Sequence, residues 1–446
     1  MMKNKKRRLN ILLAVPEYSS AKTAGYVMPY GIMNISAVLK QSETVSVFTL
    51  NLNHCTQTAQ TVLEQVIKQR DIDIIGTGGI SGQFADVETV FRMAKNIKPD
   101  IIAIAGGGLI TSDPEVAMQA LEIVDYGVIG EGEYTIIKLI GALYENSDIN
   151  MVENIIYKTG QGYRQTVSHL QNIDLETLPI PDYQGFDYDK YLALNMEYEN
   201  GISYTQAAII GGRSCKYNCT FCFHPTGSLY RQRSLDSLFI ELDYLLAHYK
   251  INYVAFREEL FAGDGQRIFD FCRRIIEYDI VWSIQLRVDV VNKEIVDILA
   301  GSNCRYIFLG IESADNRILK SMRKQITVEQ VEQALEMCDS AGLQTRSTII
   351  IGDIEETVES TNRTFDWWMR HKKRFPISID LIIAFPGSAL YRKACRNGLI
   401  PDPVQFLRDG CPIINLSRRM SDEEYVQTVE KISGFNGISY KVFNYK

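Results

Sequence analysis

Gly211-Gly212-Arg213-Ser214-Cys215-Lys216-Tyr217-Asn218-Cys219-Thr220-Phe221-Cys222 is the stretch on which the reading of this 446-residue chain turns. Its three cysteines are spaced C-x₃-C-x₂-C, so three thiolates can wrap one face of a soft metal centre. A closed structural zinc site needs a fourth donor, for which His224 is a neighbouring candidate. Three ligands on a four-iron cube instead leave one iron open to chemistry. The other six of the nine cysteines (Cys55, Cys272, Cys304, Cys338, Cys395, Cys411) are scattered, mostly in apolar surroundings, and read as small core residues. An odd, irregular cysteine set does not resemble a secreted disulfide framework.

Working outward from the triad, short apolar runs alternate with amphipathic stretches. Downstream, the strand-like runs are Gln206–Ile210, Tyr253–Phe256, Val281–Leu286, Tyr306–Leu309, Ser347–Ile351 and Ile379–Ile383. Six βα units predict a partial (β/α)6 TIM-type barrel over residues 201–400, whose active site lies in the loops after the strands. The cysteines occupy the first of those loops. Upstream, Leu9–Val15, Val45–Leu50, Ile72–Thr77, Ile101–Ala105 and Val124–Ile129 alternate with helical patterns. They predict a doubly wound, Rossmann-like α/β domain over residues 1–150, with ligands beyond the carboxyl ends of its strands. Residues 151–200 break the rhythm with a short strand (Asn154–Tyr157) and a proline-marked stretch, Leu178 to Tyr183, and read as an interdomain linker. Residues 401–446 read as a C-terminal extension ending in a helix near Asp422–Ile432.

The composition is that of an ordinary globular protein, with 46% hydrophobic and 23% charged residues. A formal charge of −7 argues against a broad nucleic-acid footprint. No apolar run approaches the roughly 18 residues of a membrane span. The basic start, Lys3 to Arg8, precedes only a short apolar run without a small-residue cleavage site. It is expected to be a solvated tail before the first strand, and the protein to be cytoplasmic.

The triad, with Phe221 before its last cysteine and its place after a barrel strand, resembles the signature of the radical SAM superfamily. The resemblance implies a [4Fe–4S] cluster on Cys215, Cys219 and Cys222 that binds S-adenosylmethionine (SAM) at its open iron and cleaves it to a radical. It also implies SAM contacts around the barrel, beginning with Phe221. In Phe256-Arg257-Glu258-Glu259-Leu260-Phe261, Glu258 or Glu259 is expected to receive the SAM ammonium. Arg287, in Gln285-Leu286-Arg287-Val288-Asp289, is expected either to clamp a carboxylate or to pair with Asp289. Glu312 is expected to face the lumen near SAM, joined by Arg323 from the next loop. Gly352 is expected to let backbone approach the adenine, although the proline-glycine-glutamate-threonine turn of relatives is replaced by Asp353-Ile354-Glu355-Glu356-Thr357. Phe385-Pro386-Gly387-Ser388 is expected to be a turn with a helix cap.

Three glycine-rich segments mark the first domain: Gly76 to Gly82, Ala105 to Gly108, and Gly130 to Glu133. Each alone reads as a tight strand-to-helix turn. Together with Met28-Pro29-Tyr30-Gly31-Ile32, they resemble the cobalamin-binding domain of the B12-dependent radical SAM enzymes. That resemblance implies cobalamin contacts at Gly78, Gly79, Ser81, Gly106, Gly107, Gly108, Glu131 and Gly132. The Asp-x-His-x-x-Gly motif is absent after the first strand (Pro16-Glu17-Tyr18-Ser19), and His54 lacks its pattern, so cobalt is expected to lack a histidine lower ligand.

The implied reaction is methylation of an unactivated carbon through methylcobalamin, fed by a flavodoxin- or ferredoxin-type electron donor and acting on a small molecule or peptide. The alternatives are radical cyclisation, rearrangement or oxidation without methyl transfer, and, from another class, a non-enzymatic iron–sulfur or zinc-binding sensor. Tyr204, Phe223, Tyr230, Trp282, Trp367 and Trp368 are candidate pocket aromatics, with core packing as the other role.

Overall fold

Strands that are apolar on both faces must be covered on both faces, and the first half of the chain folds accordingly. The computed structural model describes residues 7–18, 26–168, 173–199, 201–263 and 265–445. Its strands begin with β1 (Leu9–Val15), β2 (Val45–Asn51), β3 (Ile74–Gly78), β4 (Ile102–Gly106) and β5 (Tyr126–Val128), parallel in the order β2-β1-β3-β4-β5. Ile11 to Val15 are all buried, as are Ile74, Ile75 and Ala103 to Ala105. Helices Tyr30–Leu39, Ala59–Gln69, Phe84–Ile97 and Gly132–Glu145 alternate with these strands, giving the expected doubly wound arrangement. Most of the basic stretch Lys3 to Arg8 lies outside the described residues; Arg7 donates to Asp73 Oδ1 at 2.6 Å.

The stretch expected to be a linker carries more structure than its prolines suggest. β6 (Ile155–Thr159) and β7 (Gly162–Gln165) form a hairpin that extends the first sheet antiparallel beyond β5. Ile155 and Ile156 are buried against that sheet, which supplies the apolar contact a connector would lack. Farther on, Tyr183, Tyr188 and Tyr191 are buried, with the Tyr188 hydroxyl 2.9 Å from that of Tyr30 and Asp182 paired with Lys40. The chain thus clusters into two units. The first comprises residues 1–195 with 225–227 and 402–411, and the second takes the remainder. The 402–411 segment, expected within the C-terminal extension, joins the first unit, where Arg408 pairs with Glu122 at 2.7 Å.

In the second unit, β8 (Met196–Glu199) pairs antiparallel with β9 (Ile202–Ile209), and β10 (Gly212–Arg213) with β11 (Arg231–Gln232). β12 (Tyr253–Phe256), β13 (Val281–Leu286), β14 (Cys304–Glu312), β15 (Gln344–Ile351) and β16 (Ile377–Leu381) continue in parallel from β9. The six parallel strands curl as a half-barrel sheet. The final strands, β17 (Ile413–Ile414) and β18 (Val442–Phe443), pair with each other, and helix Asp422–Asn436 lies between them in sequence. Among the described residues no helix is long and apolar enough to cross a membrane.

Candidate active site

The cysteine loop leaves β9 and is tied to the loops after four other barrel strands. Lys216 Nζ donates to Gly263 O after β12 at 3.0 Å, and the Tyr217 hydroxyl to Asp289 after β13 at 3.0 Å. Thr220 N donates to Met322 O after β14 at 3.0 Å, while Leu390 N after β16 donates to Thr220 O at 2.8 Å. Gly387, at φ +84°, is required there: a Cβ would come within 2.5 Å of the Phe223 ring. Ser388 caps the following helix as expected, accepting from Tyr391 N at 3.0 Å. Ser214, Glu312, Arg323 and Gln325 all take positive φ, an arrangement disfavoured for such side chains that tends to cluster at functional sites.

The three thiols of this loop are free. Cys219 and Cys222 share a hydrogen bond that pulls the Cys219 thiol down to about 6, against its burial, with Lys324 and Arg287 adding positive charge. The same bond pushes Cys222 up, and burial pushes Cys215 up. Among the described residues no three His, Cys, Asp or Glu side chains, the cysteine triad included, are placed to hold a single metal ion. A cubane asks for something else, one thiolate per iron, and the cationic surroundings suit its negative charge. The fourth-donor candidate His224 is engaged: its Nδ1 bonds Glu259 and its Nε2 faces Tyr217 O at 3.2 Å. The Glu259 bond raises the histidine's pKa despite burial.

The two neighbouring glutamates part company. Glu258 turns inward, accepting from Gly211 N at 3.2 Å, and burial pushes it up to about 7. Its other oxygen is buried without a partner. Glu259 stays half-buried beside the cysteine loop, held by His224. Arg287 is fully engaged within the protein: it pairs with Asp289 at 2.9 Å, donates to Lys324 O at 2.6 Å and lies 3.5 Å over the Tyr217 ring. Of the two roles expected for it, this is the ion pair with Asp289.

Glu312 pairs with Lys324 at 2.6 Å, both largely buried. Gly310 makes room for them, since a Cβ there would meet the Glu312 carboxylate at 2.5 Å and the Lys324 ammonium at 2.7 Å. β14 shifts register against β15 between Gly310 and Glu312, leaving Ile311 without a partner. Arg323 presents its side chain to solvent, and what reaches Cys219 Sγ, at 3.9 Å, is its carbonyl. The close approach at Gly352 (φ +118°) is to the Tyr425 hydroxyl, 3.1 Å from where a Cβ would sit. Phe221 is half-buried, whereas Trp282, Trp367 and Trp368 are core residues. Of the basic pair Arg323-Lys324, Arg323 is the residue expected near SAM, and the structure gives the Glu312 carboxylate to Lys324. The signal available was its place in the basic pair that follows a costly lumen carboxylate.

In the first unit, the glycines at the carboxyl ends of β3 and β4 divide into two kinds. A Cβ on Gly78 would meet Gly106 O at 2.4 Å, one on Gly79 the Gln83 side chain at 2.5 Å, and one on Gly107 (φ +80°) Gly79 O at 2.8 Å. Gly78 and Gly107 are demanded by backbone packing within the protein, whereas at Gly79 the obstacle is the end of the Gln83 side chain. A Cβ on Gly106 would meet nothing within 4 Å, and one on Gly108 only ordinary contacts. Beside them the Thr77 hydroxyl is buried without a partner, and the Ser81 and Ser112 hydroxyls are 3.3 Å apart. Open backbone and an orphaned hydroxyl at the end of a parallel sheet fit a large polar cofactor. Glu131 is buried and accepts from Ile173 N at 3.3 Å, and Gly132 opens the helix Gly132–Glu145, packed near Ile35. His54 bonds the Tyr26 hydroxyl at 2.7 Å, and burial lowers it to about 4, so its ring is neutral.

Residues 209–367 match the radical SAM superfamily, and residues 20–140 match the B12 binding domain. An uncharacterised methyltransferase of Pyrococcus horikoshii is 28% identical over 404 residues, 88% of this chain and 84% of that one. The anaerobic magnesium-protoporphyrin IX monomethyl ester cyclase of Rubrivivax gelatinosus is 24% identical, over 80% of this chain and 66% of its own. Among solved structures, the radical SAM methyltransferase TsrM from Kitasatospora setae, with cobalamin and a [4Fe–4S] cluster bound, superposes with a TM-score of 0.73. It is 18% identical and covers 88% of this chain and 78% of its own. With both domain matches in one chain, in the order the fold displays, this protein belongs to the B12-dependent, cobalamin-binding radical SAM enzyme family.

Proposed function

We propose that this enzyme methylates an unactivated carbon of its substrate, with Cys215, Cys219 and Cys222 holding the [4Fe–4S] cluster and leaving one iron for SAM. The observation that carries the reading is the three-thiol loop pinned around the barrel mouth, with its fourth-donor candidate, His224, already committed to Glu259 and Tyr217. When bound, the cluster and SAM supply the radical, and cobalamin supplies the methyl group.

The chain's own residues orient and shield. Either glutamate after β12 is the carboxylate for a SAM ammonium: Glu259 bonds His224 through one oxygen beside the cysteine loop, and Glu258 accepts from Gly211 N through one oxygen while its other is buried without a partner. The Glu312–Lys324 pair and Arg287 keep charge balanced next to Cys219. In the first unit, Gly106, Gly108, Ser81 and Thr77 offer cobalamin open backbone and hydroxyls, while Gly78, Gly79 and Gly107 shape the turn that presents them. A reducing cytoplasmic setting suits the nine cysteines, all free, and the cluster would take its electron from a flavodoxin- or ferredoxin-type donor.

Anaerobic reconstitution with iron, sulfide and cobalamin, followed by reduction in the presence of SAM and candidate substrates, tests this. Methylated product should accumulate with both 5′-deoxyadenosine and S-adenosylhomocysteine. 5′-Deoxyadenosine with an unmethylated product would instead place the enzyme with the cyclising or oxidising members.

A further inference from the structure

Strand alternation and register put Arg257 and Arg346 on one face of the barrel sheet, and Arg305, left without a strand partner at the register shift of β14 opposite Trp282 and Ser283, reaches the same aromatic layer. Ile307, Leu309 and Ile311 of β14 are buried, while the alternate residues Phe308 and Gly310 keep part of their surface on the other face, beside the buried Tyr306. Phe308 is in register with Arg346 of β15, Ser283 with Tyr306, and Tyr253 with Gln206. The Tyr253 hydroxyl bonds those of Ser283 and Tyr306, which confirms that they share a face.

Arg346 lies 4.0 Å over the Tyr306 ring. Arg257 reaches the same layer from the end of β12, 5.9 Å over Phe308, and donates to Gln206 at 2.9 Å when that amide is oriented to satisfy both of its neighbours. Arg305 lies 3.9 Å over Tyr204.

These cations are not equally compensated. Arg305 is paired with both Glu197, at 2.9 Å, and Glu199. Among the described residues no carboxylate lies within ion-pair distance of Arg257 or Arg346; Glu199 feels Arg346 only at longer range. Asp380, on β16 beyond β15, accepts from the Tyr440 hydroxyl. Three guanidinium groups therefore face two committed carboxylates. An aromatic ring holds a guanidinium by its flat face and leaves its hydrogen-bonding edge free for a planar or tetrahedral oxyanion.

We propose that the substrate carries an oxyanion, a carboxylate or phosphate-type group on an apolar or aromatic body, and that Arg346 and Arg257 receive it in the barrel lumen. The proposal names the substrate class and rests on the radical methylation reading above. The rings of Phe308 and Tyr204, which keep part of their surface over the buried Tyr306, would bound the apolar part, and the anion would set which carbon is presented.

The test uses the anaerobically reconstituted holoenzyme with benzoate and phenylphosphonate as anionic probes and benzamide as the neutral control, read by calorimetry or ligand-observed NMR. Both anions should bind more tightly than benzamide, and whichever binds better identifies the oxyanion type. Arg346→Gln and Arg257→Gln should each weaken anion binding about tenfold, with Arg346→Lys falling between Arg346→Gln and the native protein. The proposal is overturned if the anions bind no better than benzamide, or if both glutamine variants bind them as the native protein does. Should Arg346→Gln not fold, Arg257→Gln and Arg346→Lys make the same comparison. 5′-Deoxyadenosine formation by the native holoenzyme is scored separately. Its absence would defeat the radical reading, while the anion result would stand or fall by itself.

Discussion

The carboxyl end of the first unit's sheet and that of the second unit's sheet solve the same problem by opposite means. At β3 and β4 the chain removes side chains: Gly78 and Gly107 let two turns touch backbone to backbone, and Gly106 leaves open space. At the barrel mouth it adds side chains and pins them, with thiols, a buried Glu312–Lys324 pair and an arginine stacked on Tyr217. A cofactor held along a backbone surface needs room, whereas one ligated atom by atom needs fixed donors. Around the cysteine loop Ser214, Glu312 and Arg323 take positive φ despite their side chains, and Gly387 does so where the Phe223 ring leaves no room for one.

The largest expected effect removes a donor. Cys219→Ala should abolish cluster assembly, seen as lost iron–sulfur absorbance and bound iron, and reduce 5′-deoxyadenosine formation to background. A variant that still assembled a cluster and cleaved SAM would break the contrast between pinned donors and open backbone.

Next comes the ion pair. Lys324→Met should destabilise the second unit by about 3 kcal/mol, because it strands Glu312 as a buried charge. Lys324→Met combined with Glu312→Gln should recover most of that loss in denaturant titration. Equal instability of the single and double variants would show that packing, not charge, matters there.

The glycines sharpen the other side. Gly78→Ala drives a Cβ into Gly106 O and should cost about 2 kcal/mol. Gly106→Ala meets open space and should change the apoprotein's stability by less than about 0.5 kcal/mol, while weakening cobalamin binding measured by absorbance titration. The reverse ranking would assign the space at Gly106 to the protein and not to the cofactor.

The smallest effect is one of pH. Glu356 is buried, bonded to Ser360 Oγ at 2.7 Å, and burial pushes it up to about 7. Between its ordinary value of 4.5 and that point, the folded state keeps a proton that the unfolded chain has released. Its contribution to stability is therefore fully present at low pH and is lost as pH rises through that window. Glu356→Gln should melt about 2–4 °C above the native protein at pH 8, with the difference vanishing near pH 4.5. A gap that did not change with pH would remove Glu356 from the account.

Much of this was legible in the chain. Alternating apolar runs located every parallel strand of the two seven-stranded sheets to within a few residues, since a strand buried on both faces must be continuously apolar, and the cysteine spacing marked the loop that the fold places at the barrel mouth, whereas the short parallel pair β17 and β18 was not foreseen. The hairpin of β6 and β7 was not legible, because its polar outer residues and glycine turn read as a connector until they pair with β5. Nor could spacing choose between Glu258 and Glu259, adjacent residues that point opposite ways, or show that Arg323 would contribute a carbonyl while Lys324 took the carboxylate.

By itself, then, the sequence determined the two α/β units and the thiol triad, because periodicity and local spacing are properties of neighbouring residues. Only the tertiary structure decided which charges meet. Arg346 lies on β15, Arg305 on β14 at a register shift opposite Trp282 and Ser283, and Arg257 just after β12, and they meet around Tyr204, Tyr306 and Phe308. Side chains alternate with a period of two, so a shift of one residue sends a charge to the other face of the sheet.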